Sequence, residues 1–159
     1  MKIISNFSSN HSKKIRSKRQ IRFVIIHYTG MQSEIESIKR LKNVKSKVSC
    51  HYLINRKGSV IQMVKDNYVA WHAGKSKWNN DINLNSKSIG IELVNTGKES
   101  FPNDQIKALV KLLLVLKKKY NINPNFVLGH EDIAPKRKID PGPKFPWKTL
   151  YNQNLSKKR

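Results

Sequence analysis

The sequence predicts an α/β (α+β) fold: a single domain with a central mixed β-sheet flanked by helices. Short apolar runs such as "RFVIIHY" and "SIGIELV" have the length and the Val/Ile content of buried strands. Between them lie stretches whose apolar residues recur at helical spacing, the longest being "KALVKLLLVL". Strands that alternate with helices build one layered sheet domain. At 159 residues the chain buries one proper core and is too short for two comfortable ones.

Residues 1–20 are polar and basic without periodicity and read as a flexible N-terminal arm. "RFVIIHYTG" follows as a central strand; period two puts Phe23, Ile25 and His27 on one face and Val24, Ile26 and Tyr28 on the other. Ser33 and Glu36 form the signature of a capping box, opening a helix with an apolar stripe of Ile35, Ile38 and Leu41. "SCHYLINRKGSVIQMV" reads as two strands joined by a turn at Arg56-Lys57-Gly58. "AWHAG" and the polar residues after it form a loop. In "SIGIELV", Ile89, Ile91 and Leu93 share one face, and Gly90 and Glu92 the opposite one. Pro102 opens the longest helix, with Ile106, Leu109, Val110, Leu113 and Leu114 at helical spacing and Lys117–Lys119 in its last turn. "NFVLGH" is the last strand, ending at His130, and a proline-rich segment follows. The domain therefore spans residues 21–150, and 151–159 form a basic tail.

Thirty-two Lys+Arg face ten Asp+Glu, for a net charge of +22. Such a field attracts polyanions, whether nucleic acid, anionic lipid or anionic wall fragments; a lysine-rich solvated surface is the alternative. The cations are spread through the chain, so they specify no particular partner and no specific nucleic acid. The single cysteine, Cys50, excludes an internal disulfide and fits a reducing compartment. No segment is long and apolar enough to span a membrane, and the first residues lack a secretory h-region, so the expected location is cytoplasmic.

Glu92 sits on a strand that otherwise reads as buried, where a carboxylate needs a partner or a cleft. Gly90 beside it leaves room for something to bind; an edge strand with Glu92 in solvent is the alternative. His27 and His130 end strands, and Asp140 lies in "KIDPGP". Two histidines and one aspartate suit a catalytic zinc, with the fourth position left to water, whose pKa the metal lowers to about 7. Histidines that merely satisfy backbone groups at strand ends are the competing reading.

The blocks "VIIHYTG", "VSCHYLINRKGSVIQMV", "AWHAGKSKW", "SIGIELVN" and "GHEDIAPKRKIDPGPKFPW" occur in order over residues 21–150. They resemble the zinc-dependent N-acetylmuramoyl-L-alanine amidases, which are related to peptidoglycan recognition proteins and to phage amidase-lysozymes. The resemblance implies that fold, Zn2+ as the cofactor, and His27, His130 and Asp140 as its ligands. It further implies Glu92 as the acid/base residue, Lys138 as the group that steadies the oxyanion, and Trp71 and His72 as lining of the substrate groove. Asp140 precedes a proline, which favours an extended backbone there, and Lys138 two residues earlier shares its side if the segment is extended. Lys136 and Arg137 read as solvated surface. Some phage relatives carry a tyrosine where this chain has Cys50, so any catalytic help from that tyrosine is missing, and His51 stays unassigned. The expected protein is a monomeric amidase acting on peptidoglycan fragments in wall turnover or recycling. Its rivals are a non-catalytic wall-binding module and a nucleic-acid-binding basic protein.

Overall fold

The structure is a computed structural model and describes residues 1–158. Ten strands are present: β1 (Ile3–Ser5), β2 (His11–Ser12), β3 (Phe23–Tyr28), β4 (Tyr52–Ile54), β5 (Val60–Gln62), β6 (Val69–Ala70), β7 (Lys77–Trp78), β8 (Asp81–Ile82), β9 (Ser88–Leu93) and β10 (Val127–Gly129). Four α-helices accompany them among the described residues: α1 (Glu34–Lys42), α2 (Asn103–Tyr120), α3 (His130–Ile133) and α4 (Trp147–Asn152). Six strands form the main sheet in the order β1-β5-β4-β9-β3-β10, while β2-β6 and β7-β8 make two small ribbons. Only β4 and β5 pair antiparallel in the main sheet, so it is mixed, as its sequence pattern requires.

The two faces of this sheet do different work. Val24, Ile26, Ile89, Ile91, Leu93 and Ile54 point toward α2 and pack on Ile106, Leu109, Leu112, Leu113 and Leu116 in one continuous core. The opposite face carries two smaller clusters, one around Phe23, Ile25 and Leu128 and the other around Cys50, Leu53 and Met63. Between these clusters the same face presents His27 and Glu92.

Local signals explain the element ends. Ser33 caps α1, its Oγ accepting the Glu36 N–H at 3.2 Å, although no reciprocal Glu36 bond closes the box. The predicted α1 stripe is only partly buried: Leu41 is in the core, whereas Ile35 is 66% exposed, because α1 contacts the domain through its Ser37–Leu41 side. Gly58 turns the β4–β5 hairpin with φ of +82°, and a Cβ there would lie 2.6 Å from the Asp104 carbonyl oxygen at the start of α2.

The N-terminal segment is not a flexible arm. β1 pairs in parallel with β5 at the sheet edge, and β2 pairs with β6. Arg16 is buried, and its guanidinium donates to the carbonyls of Asp66 (3.0 Å), Asn85 (3.1 Å) and Ser88 (2.7 Å). Docking through backbone pairing and one arginine needs no apolar periodicity, so none exists to read. The tail is also tied down in part, since Leu155 is 1% exposed in the core beneath α2.

Arg16→Met should destabilise the protein by about 2–4 kcal/mol, because three carbonyls lose a charged donor at once. Urea unfolding at constant pH measures this. A loss below about 0.5 kcal/mol would mean that the segment is dispensable to the fold.

Candidate metal centre and cleft

Parallel pairing of β3 with β9 sets His27 opposite Glu92, and their side chains emerge on the same face. β10 lies on the other side of β3 and ends at Gly129, so His130, as the first residue of α3, enters the same space. Asp140 returns to it from the proline-rich loop, whose base is closed by the Glu131 N–H donating to the Asp140 carbonyl at 2.9 Å. Gly129 has a steric reason as well: a Cβ there would sit 2.7 Å from Pro141.

These three side chains are buried and converge. His27 Nδ1 lies 3.0 Å from His130 Nδ1 and 2.9 Å from Asp140 Oδ2, and His130 Nδ1 is 3.1 Å from that oxygen. The three form a possible metal-holding group, their ligand atoms all within 4.8 Å of one another. The proton inventory of His130 supports that reading. Its Nε2 lies 3.0 Å from the Ala73 carbonyl oxygen, which can only accept, so Nε2 carries the hydrogen and Nδ1 turns a bare lone pair to the cluster. Burial pushes His27 down to about 4 against the opposing pull of Asp140, so its imidazole is neutral at pH 7, as a ligand must be.

The cluster forms the floor of an open cleft of ≈ 320 Å³ that is also lined by Trp71, Glu92, Arg40, Arg137, Lys138 and Ile139. Glu92 Oε2 is buried with no hydrogen-bond partner among the described residues. Burial, and then Asp140, hold the Glu92 carboxyl well above the usual carboxylate range, with Lys138 and Arg40 pulling the other way. Lys138 is half-buried on the cleft wall and Ile139 beside it is 73% exposed, the alternation expected of an extended run into Asp140.

Two residues depart from their sequence reading. Arg137 is not simply solvated: its guanidinium donates to Ala73 O (2.7 Å) and Lys75 O (2.8 Å), tying the loop before Asp140 to the loop after β6. The room beside Gly90 is filled by the His72 ring, which an added Cβ would meet at 2.3 Å. His72 lines the cleft, as expected of it, but is 8% exposed, and both ring nitrogens have protein partners: its Nδ1 lies 3.0 Å from His27 Nε2 and its Nε2 3.1 Å from Ser88 Oγ. Trp71 is half-buried at the cleft edge, its backbone N–H held by Ser49 Oγ. His51 is a structural residue whose Nδ1 accepts the Gly90 N–H, and Cys50 is a buried thiol that burial pushes well above its usual pKa. Arg40, in the last turn of α1, was not singled out in the sequence, since nothing on that helix marks one cation as facing a cleft.

Residues 17–143 match the family described as N-acetylmuramoyl-L-alanine amidase. The chain is 39% identical over 152 residues to the N-acetylmuramoyl-L-alanine amidase AmiD of Escherichia coli (strain K12), covering 86% of this chain and 54% of the relative. It is 43% identical over 102 residues to the 1,6-anhydro-N-acetylmuramyl-L-alanine amidase AmpD of Haemophilus influenzae, covering 64% and 55%. Among solved structures it superposes on E. coli AmiD in complex with the substrate anhydro-N-acetylmuramic acid-L-Ala-D-gamma-Glu-L-Lys, with a TM-score of 0.82, 38% identity and coverage of 87% and 59%. It also superposes on a selenomethionine derivative of AmpD, with a TM-score of 0.85, 26% identity and coverage of 98% and 94%. The chain thus spans about half the length of the curated relatives it matches.

The buried histidines make the stability of the metal-free protein depend on pH. Burial lowers His27 to about 4 and His51 to about 3, and lowers His72 well below its usual value. Between about pH 4.5 and 6.5 the unfolded chain therefore binds more protons at these three sites. Glu92, whose pKa is raised, binds one more in the folded state. With three groups that release a proton on folding against one that holds one more tightly, stability rises with pH through this window. Thermal melts of metal-free protein at pH 5, 6 and 7 should show Tm climbing, and a flat profile would contradict neutral burial.

Proposed function

The chain belongs to the N-acetylmuramoyl-L-alanine amidase family, and from that premise we propose that it hydrolyses the amide between the lactyl group of N-acetylmuramic acid and L-alanine. The metal in this reading is zinc, held by His27, His130 and Asp140. Two imidazoles and one carboxylate are a donor set zinc accepts in catalytic sites, and bonds of about 2.0–2.2 Å set tetrahedral donors roughly 3.3 Å apart. The observed spacing of 2.9–3.1 Å supports such a fit. When bound there, zinc supplies Lewis acidity, which polarises the amide carbonyl and acidifies water.

The single observation that carries the reading is the unpartnered Oε2 of Glu92 in the same cleft as the three ligands. A buried carboxylate oxygen without a donor is costly in a purely structural role and is free to take a proton from water. Burial raises the affinity of Glu92 for that proton above that of an ordinary carboxylate, and Glu92 can then pass it to the leaving L-alanine nitrogen. Lys138 brings an ammonium to the same cleft and stabilises negative charge developing on the carbonyl oxygen. Trp71 offers an aromatic wall to the sugar or peptide, and Arg40 and Arg137 add cations suited to stem-peptide carboxylates.

The substrate class follows from the relatives, whose names and complex specify 1,6-anhydro-muramyl peptides. On this reading the enzyme works as a monomer, every group invoked coming from one chain. We place it in a cytoplasmic recycling role, with which a buried free thiol is in keeping.

Digestion of purified anhydro-muropeptides, beside intact sacculi, with products read by mass, tests the reaction. Release of free peptide with L-alanine at its amino end is the expected product. His130→Ala should lose stoichiometric zinc and activity together. Glu92→Gln should keep zinc and its melting temperature while turnover drops about 10²–10⁴-fold. Lys138→Ala should keep zinc and lose about 10²–10³-fold. Near wild-type turnover in Glu92→Gln would remove it from the mechanism, and loss of zinc would make it a ligand.

A further inference from the structure

Behind His27 runs a chain of hydrogen bonds whose direction is set at its far end. Ser88 Oγ lies 2.6 Å from the Leu84 carbonyl oxygen. A carbonyl only accepts, so the single hydroxyl proton of Ser88 is committed to Leu84. Ser88 Oγ is also 3.1 Å from His72 Nε2 and can act there only as acceptor, so Nε2 carries hydrogen. His72 is buried and no carboxylate is bonded to it, which leaves it a neutral imidazole with a lone pair on Nδ1. That lone pair faces His27 Nε2 at 3.0 Å, so Nε2 of His27 must be the protonated nitrogen. What remains on His27 is a bare Nδ1, the atom turned to His130 and Asp140.

We propose that His72, fixed by Ser88 and the Leu84 carbonyl, is a positioning residue that selects the metal-binding tautomer of His27. The proposal rests on the zinc reading of the His27, His130 and Asp140 cluster. It gives His72, which lines the cleft as its motif implies, a role toward His27. It also accounts for Gly90, since the ring reaches its place only where β9 carries no Cβ. The arrangement opposes a real competitor: Asp140 Oδ2, 2.9 Å from His27 Nδ1, would otherwise draw a proton onto that nitrogen and block the lone pair. Ala73 performs the same service for His130 with a single carbonyl.

Two measurements test this. Long-range proton–nitrogen NMR of the metal-free wild type should find the His27 ring hydrogen on Nε2, and a hydrogen on Nδ1 would overturn the proposal whether or not zinc is the metal. Zinc affinity by chelator competition should fall about 10–100-fold in His72→Leu, which keeps bulk but offers no acceptor. His72→Asn, whose Oδ1 can replace the Nδ1 acceptor, should recover most of it. Ser88→Ala should give an intermediate loss by freeing the far end. Wild-type affinity in His72→Leu would overturn the proposal, as would failure of His72→Asn to improve on it. Should the leucine variant not fold, the Ser88→Ala affinity and the wild-type NMR still decide. A wild type that binds no zinc at all would instead strike the metal reading, and the tautomer result would stand separately.

Discussion

The parallel register of β3 on β9 is the constraint on which the rest of the molecule depends. It sets His27 beside Glu92 and Ile26 beside Ile91, so one face carries polar chemistry while the other stays apolar. A slip of one residue would reverse every side chain. For β9 that slip would turn isoleucines into the cleft and drive Glu92 into the packing beneath α2, away from His27. Burial of the apolar face therefore enforces the geometry of the polar one. The large core on the α2 side stabilises the fold, and the smaller, divided clusters on the other side leave a gap that can hold charge.

That division explains how a strongly basic chain tolerates so many buried titratable groups. His27, His51, His72, His130, Glu92 and Asp140 all lie on or above one face. The cleft there combines the bare Nδ1 atoms of His27 and His130, turned to Asp140, with a buried Glu92 Oε2 that has no hydrogen-bond partner among the described residues. Arg16, reaching in from the N-terminal segment to three carbonyls around Asp66 and Ser88, braces this layer from behind.

Much of this was legible in the sequence, for identifiable reasons. Period two along Phe23–Tyr28 and Ser88–Leu93 assigned His27 and Glu92 to faces because both strands are buried on each side. Ser33 and Gly58 marked local backbone events that depend on near neighbours alone. Less legible were features carried by backbone atoms or by partners distant in the chain. β1 docks through an exposed edge, so its side chains carry no pattern. Gly90 was read as space for a ligand, yet that space belongs to a ring eighteen residues earlier, seated against β9. Arg137 looked like one cation among three, and only the position of the Ala73 carbonyl singles it out. Ile35 fits a helical stripe, but α1 leans on the domain along one side too narrow to cover it.

The Ala73 carbonyl accepts from two directions, His130 Nε2 and the Arg137 guanidinium, and so uses both of its lone pairs. One oxygen thereby joins the segment after β6 to the segment that ends in Asp140. These two surface loops are a single heritable unit: insertions, deletions or transplants in either are constrained by the other. Changes in what the cleft accepts would have to be met by exchanging them as a matched pair, or at Arg40, which lines the cleft from α1 outside both loops.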